Sequence, residues 1–94
     1  MREIEKLLRE NIPLIFIKQE TTGIDVKTDK IVEIYMKKFQ MTNEGLKTSE
    51  YHTLINPEIK ISSEASKIHG HTEESLKSCP TFNTCANDIY EFIN

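Results

Sequence analysis

The sequence has no tryptophan, three glycines, three prolines and two cysteines among its 94 residues. It also has no apolar run near the ~20 residues that a membrane-spanning helix needs. Residues 1–5 lack the basic start and apolar stretch of a signal peptide. Cys79 and Cys85 are most simply free thiols in a reducing compartment. These absences predict a cytoplasmic protein without a membrane segment or a disulfide framework.

An excess of basic residues is also missing, because the net charge is −3 with 29% charged residues. A protein that coats nucleic acid through Coulomb attraction alone would be basic, so that class is disfavoured. A nuclease stays open, since carboxylates can meet phosphate through a bound divalent metal. The length allows one small domain, with a stability of roughly 5–10 kcal/mol at best.

Three stretches of the sequence predict β-strands. The apolar run Leu14–Ile17 follows a proline and is too short for a helix, so it predicts a central strand covered on both faces. Two more strands are predicted over 30–39 and 50–55, joined by a hairpin at 42–45. Short connections favour antiparallel pairing. A turn at 21–23 ends the first strand, and its glycine is expected to allow a positive φ.

Helical patterns flank these strands. Residues 2–10 have helical apolar spacing, with Glu5 and Arg9 four residues apart, and predict an amphipathic cap on the sheet edge. A serine-capped helix over 64–68 should stop at Gly70, a capped turn should follow at 72–76, and Thr81 should cap the last helix. The whole predicts a single α/β domain (α+β over these residues) over 1–94, with a helical extension at 1–11 and a main region at 13–94.

The strand end at Lys18-Gln-Glu-Thr-Thr-Gly23 is the candidate site. Cleavage of a phosphodiester by two metals needs several carboxylates around ions ~3.5–4 Å apart. Alternate residues of a strand point to one face, so an acid two residues before Glu20 would give two ligands. Lys18 occupies that position, cannot ligate a cation, and is expected to pair with Glu20. The alternative is a plain strand-ending turn with both side chains on its solvated rim.

Four possible zinc ligands lie close together in the sequence: His69, His71, Cys79 and Cys85. Their spacing matches none of the short paired ligand patterns, so the sequence does not favour it.

Six segments in order resemble the DEDD 3′–5′ exonucleases over residues 13–94. They are Glu20-Thr-Thr-Gly-Ile24, Asp29-Lys-Ile-Val-Glu-Ile34, Leu54-Ile-Asn-Pro57, Ala65-Ser-Lys-Ile-His-Gly70, Thr72-Glu-Glu74 and Cys79-Pro-Thr-Phe82. The resemblance implies a ribonuclease H-like fold, in which a mixed five-stranded sheet is flanked by helices. It also implies 3′–5′ hydrolysis of nucleic acid with Mg²⁺ or Mn²⁺. A single-stranded 3′ end is the implied substrate, DNA or RNA, and a polymerase subunit is a candidate partner.

The resemblance assigns roles to a few positions. Glu20 matches a metal ligand, and Thr21, Thr22 and Gly23 match a turn that lies against the terminal nucleotide. Ile68, His69 and Gly70 match a segment near that nucleotide, although His69 is more often a packing residue at a helix end. Glu33, in the Ile-Val-Glu-Ile stretch, is interpreted as structural.

The sequence departs from the family pattern in three ways. Lys18 replaces the metal-binding aspartate, and His71 replaces an aliphatic residue. The third acid, the general-base histidine and the fourth acid, which the family places later, have no counterpart in residues 1–94. We therefore expect a truncated and inactive member with no confirmed catalytic residue. The alternatives are a non-catalytic binding module, with Lys18 on phosphate, and a truncated reading frame with an unpaired sheet edge.

Overall fold

A three-stranded antiparallel sheet forms the centre of the computed structural model, which describes residues 2–94. Its strands are β1 (Leu14–Thr21), β2 (Ile31–Thr42) and β3 (Gly45–Leu54), in the order β1-β2-β3. The predicted antiparallel sheet is confirmed. Both β2 and β3 extend further toward their hairpin than predicted, because backbone pairing continues as far as Thr42 and Gly45. The apolar pattern used to predict the strands weakens in these stretches, where Met41 and Leu46 are the apolar residues among mostly polar neighbours.

Four helices accompany the sheet: α1 (Arg2–Arg9), α2 (Ser63–His69), α3 (Glu73–Leu76) and α4 (Phe82–Ile93). The α1 helix contacts β1 and β2, as expected of a cap on the sheet, and its predicted Glu5–Arg9 ion pair forms at 3.7 Å. No helix within residues 2–94 has the length and apolar character needed to cross a membrane.

Most of the predicted helix ends are confirmed. The Ser62 hydroxyl caps α2, and Gly70 ends it in the left-handed region at φ 77°. Thr72 caps α3 in a reciprocal capping box. The exception is α4, where Thr81 occupies the N-cap but makes no side-chain bond to the helix backbone. Its hydroxyl instead lies 3.1 Å from that of Thr84.

The core lies on one face of the sheet. Val32, Ile34 and Met36 alternate along β2 and are buried, since successive side chains of a strand point to opposite faces. The residues packed with them come from the loop before α2, from α3 and from α4: Ile55, Ile61, Leu76, Cys85 and Ile89. The helices after β3 therefore form a second layer on this face.

The prediction that the first strand is central and covered on both faces is wrong within residues 2–94. In this part of the chain β1 is an edge strand that pairs only with β2. Phe16 and Ile17 are 56% and 55% exposed, and Phe16 contacts Phe39 edge-to-face at 5.7 Å between ring centroids. An apolar run indicates that a strand can be covered, but it does not identify the element that covers it.

Candidate functional site

The end of β1 contains a β-bulge. Glu20 pairs with Glu33, but the next residue, Thr21, pairs with Ile31, so Val32 is the extra residue on β2. A bulge increases the local twist and redirects the side chains around it. Glu20 thus lies at the end of the first strand, as predicted, immediately before the irregular turn.

The turn that follows is organised by Asp29. The Thr22 side chain is fully buried, and its hydroxyl donates to Asp29 Oδ1 at 2.6 Å and accepts from Lys30 N at 3.0 Å. The second carboxylate oxygen of Asp29 accepts from the backbone N–H of Asp25 at 2.8 Å. The Thr22 bond, followed by the Asp25 bond, lowers the pKa of Asp29. The turn is thus held by an ionised carboxylate.

Gly23 is required here for a reason different from the predicted one. It does not have a positive φ. A Cβ at this position would lie 2.5 Å from Asp29 Oδ2 and 2.8 Å from Asp29 Cγ, much closer than van der Waals contact. Glycine therefore allows the backbone to pass against the Asp29 carboxylate.

One pocket of about 380 Å³ contains four of the sequence-predicted site residues: Glu20, Thr21, Gly23 and His69. The fifth, Thr22, is buried, and its hydroxyl is engaged by Asp29 and Lys30, so its side chain acts on the turn itself. The pocket wall also includes Ile24 and Ile68, which are 100% and 81% exposed. Both lie in segments that carry the family resemblance, Glu20-Thr-Thr-Gly-Ile24 and Ala65-Ser-Lys-Ile-His-Gly70.

The His69 ring is held at both nitrogens. Its Nε2 lies 3.0 Å from the Thr21 carbonyl oxygen, and its Nδ1 accepts from the backbone N–H of His71 at 3.0 Å. The end of α2 is thereby connected to the end of β1, 48 residues apart in the sequence. His69 presents its ring to the pocket, while both ring nitrogens bond within the protein.

Glu33 receives two histidines, a cluster that the sequence did not predict. Its Oε2 lies 2.6 Å from His52 Nε2, and its Oε1 lies 2.7 Å from His71 Nε2. The bond from His71, followed by that from His52, lowers the pKa of Glu33. Since a carboxylate only accepts, both imidazoles donate from Nε2. The sequence analysis interpreted Glu33 as structural but did not predict its two histidine partners. His71, which replaces an aliphatic residue of the family pattern, makes a polar contact here from the loop after α2.

Lys18 does not form the ion pair with Glu20 that was expected. None of the ion pairs among residues 2–94 joins the two side chains within 4 Å. Lys18 pairs in register with Tyr35, and these two residues line a second pocket of about 380 Å³ that also includes Glu20. The two pockets therefore meet at Glu20.

The residues present do not by themselves fit a metal centre. Within residues 2–94, no group of three or more histidine, cysteine, aspartate or glutamate side chains is arranged to hold a metal ion. Glu20 supplies one carboxylate, and the residue on the same face two positions earlier is a cation.

The two-histidine cluster on Glu33 predicts a specific pH dependence. Because the pKa of Glu33 is below its usual 4.5, its stabilisation is complete above that value and is lost as the pH falls below it. We expect the free energy of unfolding to fall less steeply in Glu33→Gln than in the natural protein between about pH 5 and pH 3. Urea unfolding across that range measures the slope, with the exposed Glu91→Gln as the matched control. An unchanged slope in Glu33→Gln would contradict this account.

Together, the antiparallel sheet, the carboxylate at the end of its first strand and the turn against α2 define a ribonuclease H-like domain of the exonuclease class. Residues 15–94 match the family model described as exonuclease. The chain belongs to the exonuclease family.

Relatives with named functions are similar over most of this chain. It is 44% identical over 80 residues to the DNA polymerase III subunit epsilon of Rickettsia prowazekii, covering 84% of this chain and 34% of that protein. It is 42% identical over 80 residues to the same subunit of Rickettsia typhi, with the same coverage. A DNA polymerase III PolC-type protein of Thermotoga petrophila is 42% identical over 69 residues, which is 73% of this chain and 5% of that protein. The chain spans about a third of the length of the epsilon relatives.

Proposed function

We propose that the pocket of Glu20, Thr21, Gly23 and His69 receives the 3′-terminal nucleotide of a single-stranded nucleic acid. The observation that carries this proposal is the convergence of these residues, from two distant segments, on one pocket. The site would be the first part of a 3′–5′ exonuclease centre. Family membership supports the reaction class.

The chemistry of the pocket wall suits a nucleotide that arrives with a cation. Ile24 and Ile68 offer apolar surface to a base or sugar. The charged side chains of the wall are all carboxylates: Glu20, Asp25, Asp29 and Glu64. A phosphate is repelled by these groups unless a cation lies between them. This charge pattern supports a need for Mg²⁺ or Mn²⁺, with Glu20 as a ligand.

We further propose that this chain alone does not hydrolyse nucleic acid. Of the four acids that the family chemistry uses, residues 1–94 supply only the second, Glu20, and Lys18 stands at the position of the first. Loss of a general base alone typically costs ~10²- to 10⁴-fold in rate. Because the epsilon relatives are named as subunits of DNA polymerase III, a polymerase subunit is the partner we propose.

One binding experiment tests the pocket. A labelled single-stranded oligothymidylate is titrated with this chain in the presence of Mn²⁺, and the affinity is measured by fluorescence anisotropy. Ile24→Ala is expected to weaken binding about fivefold, from roughly 1 kcal/mol of lost apolar contact. Val26→Ala is the matched control, since Val26 is 96% exposed in the same loop and does not line this pocket. Equal losses in the two variants would contradict the assignment.

The same samples test the absence of hydrolysis. We expect no release of mononucleotides with Mg²⁺ or Mn²⁺ on prolonged incubation. Nucleotide release that Glu20→Ala abolishes would show that the chain is active and overturn this part of the proposal.

A second candidate function is non-catalytic binding through Lys18. It is favoured by one observation, that Lys18 forms no ion pair among the described residues and lines the pocket next to Glu20. In that case binding would weaken with salt and would be lost in Lys18→Ala without any metal. Metal-dependent binding that is unchanged in Lys18→Ala would instead support the first proposal, the nucleotide pocket at Glu20.

A further inference from the structure

We propose that His71 is a positioning residue: anchored on Glu33, it fixes the orientation and tautomer of His69, which in turn holds the Thr21 carbonyl at the pocket. The relevance to nucleotide binding rests on the proposed function, whereas the hydrogen-bond relay itself does not. His71, His69 and Thr21 form one continuous chain of contacts from Glu33 to the end of β1.

The direction of each hydrogen bond in the relay follows from its end groups. The Thr21 carbonyl oxygen can only accept, so His69 Nε2 donates to it across 3.0 Å. The backbone N–H of His71 can only donate, so His69 Nδ1 accepts from it across 3.0 Å. The single protonation state that satisfies both bonds is the neutral ring with its proton on Nε2.

His71 is itself held at three points. Its ring Nε2 lies 2.7 Å from Glu33 Oε1, and its carbonyl oxygen accepts from Ser66 Oγ at 2.8 Å. The third point is the N–H bond to His69. Its ring stacks on that of His69, with centroids 5.0 Å apart and 27° between planes, and its side chain is only 19% exposed. The direction of the N–H is therefore set by where the His71 side chain is anchored.

The anchor matters because of the backbone just before it. Gly70 ends α2 in the left-handed region and makes no contact that a Cβ would disturb. Residue 71 therefore leaves the helix at a conformationally permissive position. It is held by bonds to Ser66, His69 and Glu33, of which only the bond to Glu33 reaches beyond α2. Glu33 supplies the bond, and it pairs in register with Glu20, next to Thr21. These hydrogen bonds thus connect the end of α2 with the paired strands β1 and β2.

The test reads the tautomer of His69 directly, without any ligand. Ring ¹⁵N chemical shifts in the folded chain distinguish a protonated from an unprotonated Nδ1. We expect His69 to carry its proton on Nε2 in the natural protein and to show averaged shifts of both tautomers in His71→Ala. His71→Gln should restore the natural pattern, because the Gln amide can donate to Glu33. His52→Ala is the matched control, since it removes the other imidazole on Glu33 and leaves the His71 bond in place.

Oligothymidylate affinity provides the second readout. His71→Ala should weaken binding by roughly 2- to 10-fold, the range that one hydrogen bond contributes, and His71→Gln and His52→Ala should not. A natural ¹⁵N pattern in His71→Ala, or a proton on His69 Nδ1 in the natural protein, would overturn the inference. If His71→Ala does not fold, the comparison of His71→Gln with Glu33→Ala decides, because only Glu33→Ala removes the acceptor of the His71 bond and should give averaged shifts of both His69 tautomers. Absence of oligothymidylate binding in every variant would instead count against the proposed function alone.

Discussion

Replacement of Lys18 by aspartate is expected to raise the affinity of this chain for Mn²⁺ by ~10- to 100-fold, since each pair of unit charges at 4 Å is worth about 1 kcal/mol even in water. Lys18 and Glu20 lie two residues apart on β1 and on the same face of the sheet. The change removes a cation beside Glu20 and adds a second carboxylate. Isothermal titration with MnCl₂ measures the effect.

Two controls separate a local site from a change in net charge. Lys47→Asp makes the same change in net charge at an exposed position of β3, in register with Gln40 and outside the ion pairs of the described residues. It should leave the affinity near its natural value. Glu20→Ala in the Lys18→Asp background should abolish the gain. An equal gain in Lys47→Asp would show that Glu20 is not the ligand. We propose that the Lys18→Asp chain remains without hydrolytic activity, because residues 1–94 hold no counterpart of the family's general base and two further acids.

Truncation of Leu76 is expected to produce the largest loss of stability. Leu76 is fully buried in α3 and packs with Val32 and Ile61 in a small cluster to which Ala65 of α2 also contributes. Leu76→Ala should lower the free energy of unfolding by about 2–5 kcal/mol, from lost apolar contact and the cavity left behind. Against a total of roughly 5–10 kcal/mol for a chain of this size, this is a large fraction of the stability, so the urea midpoint should fall markedly. Urea denaturation followed by circular dichroism measures the change.

The matched control is Leu46→Ala in the hairpin, where the side chain is 51% exposed. There we expect a change within about 0.5 kcal/mol. If Leu76→Ala is as stable as Leu46→Ala, then α3 does not hold the helical layer to the sheet. The position of α2, and with it of His69, would then need another explanation.

Local signals in the sequence were sufficient for most of the helix ends. Ser62, Gly70 and the Thr72 capping box act within a few residues, so the chain specifies them without long-range contacts. The apolar residues of β2 lie on both faces, and only the packing of the helices shows that Val32, Ile34 and Met36 lie on the covered one. The same kind of signal failed for the first strand, whose edge position depends on which other strands are present.

Some features of the candidate site could likewise be predicted from the sequence, and others could not. The order of short segments predicted Glu20, Thr21, Gly23 and His69, and the structure brings all four to one pocket. No local pattern connects Thr22 with Asp29, or Glu33 with His52 and His71, since these partners are 7, 19 and 38 residues apart. At such separations in the sequence, each polar side chain has many possible hydrogen-bond partners, and its charge and polarity do not identify which one it meets.

The sequence by itself therefore determined the family, through the resemblance of its ordered segments, and the three-stranded sheet, through its periodicity and short connections. It also named several of the residues that line the pocket. Only the tertiary structure shows that the Gly23 backbone lies against the Asp29 carboxylate and that Glu33 bonds to two histidines. It also shows that Lys18 and Glu20 form no ion pair among the described residues. The physical reason is that hydrogen-bond partners and steric contacts are fixed only when the bulge in β1–β2 and the left-handed end of α2 set the directions of the side chains.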